Sequence, residues 1–177
     1  MEWLIQRYDA EIEDIEWRHK LGWLAAKHGK IESLKCLRAN SCTWKYLTCE
    51  GAAEGGHLEV LQWARENDCE WDEDTCSCAA AGGHLEVLQW ARQNGCPWDE
   101  RTCWAAAGKG HLEMLQWARQ NGCPWNENTC WAAAKGGHLE ALKWARENGC
   151  PWDVKTWADA HSRCRPYLIE HGCPGAW

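Results

Sequence analysis

The strongest constraint on this chain is a period. His57, His84, His111 and His138 stand 27 residues apart, and Trp63, Trp90, Trp117 and Trp144 keep the same step. Two cysteine columns follow it, Cys42, Cys69, Cys96, Cys123 and Cys150, and Cys49, Cys76, Cys103 and Cys130. Trp44, Trp71, Trp98, Trp125 and Trp152 form a further column. The register runs from residue 30 to residue 156 without a gap. Self-similarity at a fixed period of this size specifies an array of stacked units rather than one globule built from dissimilar elements.

Each unit reads as two helices. Asp99 suits an N-cap, because its carboxylate accepts from the free amides of the first turn, and Asp72, Asn126 and Asp153 hold the same place. Trp98 precedes that cap and Cys103 follows four positions after it, the spacing of a hydrophobic staple. Thr102-Cys103-Trp104-Ala105-Ala106-Ala107 makes a short helix whose alanines admit a close neighbour, and Gly108-Lys109-Gly110 stops it. The second helix is expected from His111 to about Asn121, with Leu112, Met114, Leu115 and Ala118 as its apolar stripe and Trp117 extending it. Gly122 accepts the left-handed conformation that ends a helix, and Pro124 blocks continuation. Helices this short are marginal alone. Stacked side by side, every stripe faces the next copy and the core grows in one dimension. The fold class expected is all-α, an α-solenoid of about five stacked helix-turn-helix repeats.

Gly-His-Leu-Glu-Val-Leu followed by Asn-Gly resembles the second helix of an ankyrin repeat, and Ala-Ala before the glycine pair resembles the end of its first. The resemblance spans roughly residues 20–160. Ankyrin repeats run about 33 residues with a β-turn finger. Here the connection Gly-Cys-Pro-Trp-Asp-Glu is shorter, and Thr-Cys-Trp-Ala or Thr-Cys-Ser-Cys stands where Thr-Pro-Leu-His is usual. The chain therefore resembles the finger-less ankyrin-like repeats found in protists, algae and giant viruses. That resemblance implies a right-handed stack with first-helix faces lining its concave side, and another protein as partner. Contacts that ankyrin fingers make along the rim do not carry over. Residues 1–177 are expected to form a single domain: an acidic amphipathic capping helix over 1–20, repeats over about 21–156, and a C-terminal cap over 157–177. The cap includes a shortened second helix at Tyr167–Pro174. Terminal units need such polar outer faces.

Composition narrows the function. A net charge of −7 argues against nucleic acid as the main partner. No apolar run approaches the roughly 18 residues of a membrane span. The start shows no basic segment followed by an apolar one, so a cytoplasmic chain is expected. The cysteines number 13, an odd count for a disulfide framework. Neighbouring helices lie about 8–10 Å apart, beyond the roughly 7 Å between Cα atoms that a disulfide bridges. Bonds along one column are thus not expected, although a cross-column bond such as Cys96–Cys103 is conceivable. No CxxC or HxxxH pairing is present, the nearest being Cys76-Ser77-Cys78. The cysteines are read as small buried filler, with a metal- or redox-responsive protein as the alternative. The histidines are expected to bond loop carbonyls, the tryptophan columns to be core and inter-unit packing, and Arg65, Arg92, Arg119 and Arg146 to bridge carboxylates or cap carbonyls.

Positions fixed by stacking recur, and positions free of it drift. On the first helix the drifting row is Asp74, Arg101, Asn128 and Lys155, one per unit, with Trp104, Trp131, Lys109 and Lys135 further along. This row is the candidate partner-binding surface, with Trp104 and Trp131 as anchors because exposed indoles favour binding hot spots. There is no Gly-rich phosphate loop, no Gly-x-Ser-x-Gly and no carboxylate pair in apolar surroundings. The expectation is a non-catalytic, cofactor-free monomeric adaptor.

Overall fold

The structure, a computed structural model, describes residues 20–39 and 46–176. Apart from Lys20, the expected capping helix over 1–20 lies outside the described residues, as do Cys42 and Trp44. Helices follow in pairs: α1 (20–27) and α2 (Ile31–Ala39), α3 (Tyr46–Gly55) and α4 (Leu58–Glu66), α5 (Glu73–Gly82) and α6 (Leu85–Gln93). Then come α7 (Glu100–Lys109) and α8 (Leu112–Gln120), α9 (Glu127–Gly136) and α10 (Leu139–Glu147), α11 (Val154–Ala158) and α12 (Arg165–Glu170). The described residues contain no strand, and none of their helices is long and apolar enough to cross a membrane.

The local signals place these helices. Asp72, Asp99, Asn126 and Asp153 are extended at the starts of α5, α7, α9 and α11, and each side chain accepts the amide two residues on, at 3.0 Å. Gly83, Gly110 and Gly137 close α5, α7 and α9 in the left-handed region, with φ of 79°, 77° and 74°. Gly110 answers a second demand: a Cβ there would come 2.4 Å from Nδ1 of His138, which packs on it from the next unit.

First helices pack directly on one another in the order α3, α5, α7, α9, α11, whereas α8 meets α10 only sparsely. Side-chain size explains the difference. First helices meet through Ala, Gly, Thr and Cys, so closely that a methyl on Gly82 would lie 2.4 Å from the Glu54 carbonyl oxygen. Second helices carry Leu, Trp and Arg and stand apart. A tight row beside a splayed row curves the stack toward the tight side, so the first-helix faces line its concavity. The core between the rows holds Leu61, Leu88, Leu115 and Leu142, one per unit, with the alanine and cysteine columns. Each buried leucine contributes about 1.5–3 kcal/mol. At the C-terminal end the repeat shortens, α11 spans 5 residues, and Leu168 and Cys173 close the core.

Candidate functional site

The tryptophan columns are not core. Trp63, Trp71, Trp90, Trp98, Trp117, Trp125, Trp144 and Trp152 are all half-buried and lie against the core from outside. Trp71 meets Trp90, Trp98 meets Trp117 and Trp125 meets Trp144 edge-to-face, with centroids 5.8–5.9 Å apart, a favoured aromatic geometry. Arg65, Arg92, Arg119 and Arg146 cover the outer faces of Trp71, Trp98, Trp125 and Trp152 at 4.0–4.1 Å. Each of these arginines also donates to the cysteine carbonyl four residues on, from Cys69 to Cys150. The arginines thus cap carbonyls rather than bridge carboxylates. Trp98, expected to staple onto Cys103, makes ring contacts with Trp117 and Arg92.

Among the described residues most cysteines are buried. Thiols of Cys96, Cys123 and Cys150 donate to the carbonyls of the preceding N-cap residues Asp72, Asp99 and Asn126 at 3.4 Å, tying each connection to its predecessor. The cross-column neighbours are Cys49 with Cys69, Cys76 with Cys96, Cys103 with Cys123 and Cys130 with Cys150, each cysteine of a first helix meeting the one 20 residues on. Hydrogen bonding to that neighbour, then burial, holds the thiols of Cys49, Cys76, Cys103 and Cys130 above the usual range. His57 and His84 bond the carbonyls of Lys27 and Glu54 through Nε2 at 3.1 Å, the role expected of that column.

The concave face gathers the drifting residues. Asp74, Arg101, Asn128 and Lys155 each stand two residues past an N-cap, a turn before Trp104 and Trp131 on α7 and α9. Trp104 is 39% exposed. Its ring lies 6.4 Å from that of Trp131. Trp131 donates its indole N–H to Asp159 at 2.8 Å, and Lys135 sits 4.5 Å above its ring. Asn128, Lys155, Lys109 and Lys135 are exposed. Arg101 and Asp74 are not independent: they pair across one unit step, and Arg101 also pairs with Asp99 at 2.8 Å. An open groove of about 650 Å³ runs beside Trp104 over Ser77, Ala81 and Gly108, and Lys109 and Lys135 border it.

Glu54 on α3, which borders the groove, escapes a reading by drift, as does Glu50, one turn before it on the same helix. Their signal was present, since Glu50 continues the column of Ser77, Trp104 and Trp131, and Glu54 continues that of Ala81, Gly108 and Lys135. The unit around α3 is divergent enough to hide it. Among the described residues, Glu50, Asp72 and Asp74 bring three carboxylate oxygens within 4.8 Å of one another. The cysteine columns form no such cluster there.

No protein-family model matches the chain, and no curated protein matches it. Among solved structures, the crystal structure of the human ASB11 ankyrin repeat domain shares the fold, with a TM-score of 0.57 and 16% identity. The match covers 73% of this chain and 69% of that one. With the repeating helix pairs, this makes the fold an ankyrin-like α-solenoid.

Proposed function

We propose that this chain is a non-catalytic, monomeric adaptor that binds another protein on its concave face. The observation that carries the reading is Trp104, 39% exposed on the concave side and the most exposed tryptophan among the described residues. It stands against Trp131 beside an open groove, with Lys109 and Lys135 at the rim. Large rings held rigidly next to a concavity supply contact area at low entropic cost, the property of a binding anchor. The ankyrin-like fold supports a protein partner by analogy of architecture, and the net charge of −7 disfavours nucleic acid. The mostly buried cysteines of the described residues suit a reducing compartment such as the cytoplasm.

The test separates binding from folding. Arg101→Ala, Trp104→Ala and Asn128→Ala are compared with the parent for melting and for recovery of cellular partners. Loss of partners with melting preserved is expected. Partners recovered undiminished by all three variants refute the surface.

A further inference from the structure

The ring stack on the concave face stops one unit early. On α9 and α7 the column holds Trp131 and Trp104, and one step of 27 earlier it holds Ser77 on α5. Ser77 turns its hydroxyl to its own helix, donating to the Asp74 carbonyl at 3.1 Å. Among the described residues Trp104 therefore has Trp131 behind it and no ring in front. The space a third indole would fill is part of the groove, floored by Ser77, Cys78 and Ala81.

The far side of that space is acidic. Glu50 and Glu54 come from α3, and Asp72 and Asp74 from the start of α5. Among the described residues Lys27 pairs with Glu54 at 2.8 Å and Arg101 with Asp74. Glu50 has no ion pair among the described residues. The remaining field is visible in the groove floor, where burial and then Glu50, Glu54, Asp74 and Asp72 push the Cys78 thiol up to about 12.

An aromatic face opposite undercompensated carboxylates suits a planar cation. A guanidinium stacks on an indole and forks to carboxylates, whereas an ammonium offers a point charge and a neutral ring leaves Glu50 unanswered. Among the described residues four arginines stack on tryptophan at 4.0–4.1 Å and a fifth, Arg165, lies 4.8 Å over Trp157.

We propose that the groove over α5 is a slot for an arginine side chain of the partner protein, stacked on the open face of Trp104 and held by the carboxylates of Glu50 and Glu54. This rests on the concave face being the binding surface, and it sets the chemistry of the partner: a segment presenting an arginine.

The probe is the capped peptide Gly-Gly-Arg-Gly-Gly, with lysine and citrulline versions. Each is titrated into chain carrying isotope-labelled indole nitrogens, and the Trp104 indole N–H, assigned with Trp104→Phe, is followed by NMR. The arginine peptide is expected to shift that resonance saturably, with citrulline binding at least about fivefold weaker. Ser77→Trp puts in the slot the side chain that the next two units carry at the same place. It should therefore fold with unchanged melting and abolish the shift. Should it not fold, the Glu50→Gln/Glu54→Gln double variant serves instead, with binding weakened about tenfold expected. Equal binding of arginine and citrulline, no saturable shift by roughly 10 mM peptide, or undiminished binding in the folded slot variant overturns the proposal. A cellular partner lost in Trp104→Ala/Trp131→Ala but held at full affinity by Ser77→Trp overturns the slot and leaves the concave surface standing. A partner held by both variants overturns both.

Discussion

Thr75, Thr102 and Thr129 are buried, and their hydroxyls lack hydrogen-bond partners, whereas Thr156 shares a capping box with Asp153. A buried hydroxyl without a partner costs free energy that an apolar group of the same shape avoids. Thr102→Val is therefore expected to leave Tm unchanged or raise it, and Thr156→Val to lower stability by about 1 kcal/mol in thermal melts. Glu50 gives a pH-dependent case. Burial, then Asp72 and Asp74, push its carboxyl up to about 7 from 4.5, against the partial relief of Arg101, while Glu54 adds to the push. The folded state then holds the proton over a range where the unfolded chain has released it, so this group lowers stability as pH rises from about 4.5 to 7. Glu50→Gln is expected to raise Tm at pH 8 and to leave it nearly unchanged at pH 4.5. A gain of equal size at both would contradict the cause assigned.

Helix ends were legible because their chemistry is local. An N-cap carboxylate meets an amide two residues away, and a closing glycine needs only its own φ, so Asp99 and Gly110 could be placed without knowing any neighbour. Asp99→Ala is expected to cost about 1 kcal/mol in denaturant unfolding. Gly110→Ala should cost more, since it meets both the left-handed backbone and the His138 ring. The tryptophans were harder to read. Recurrence shows that a side chain contacts a neighbouring unit, but not how deeply, and an indole at the rim recurs as faithfully as a leucine in the core. The thiol neighbours were hidden for a similar reason: Cys76 reaches Cys96 only because the intervening helix and connection fold back. Drift between copies singled out Trp104 and Trp131, whose rings lie 6.4 Å apart. It passed over Glu50 and Glu54, whose unit has diverged from the pattern.

Across the whole molecule, small residues on one row and large ones on the other set the curvature, and the curvature makes the groove. The cysteines serve the tight row. Native chain treated with a thiol reagent is expected to be modified at Cys36 quickly, at Cys78 slowly, and at the buried cysteines of the described residues only on unfolding. Fast modification of Cys96 or Cys123 would contradict their place in the stack. The central claim is that one interface recurs, so that neighbouring units are interchangeable. Deleting residues 84–110 removes 27 residues and joins Gly83 to His111, leaving every column in register. Circular dichroism of that shortened chain during thermal unfolding is the direct measurement. The account predicts native helicity per residue and a single cooperative transition at lower temperature. A chain that has lost its helicity, or that melts without cooperativity, would contradict it.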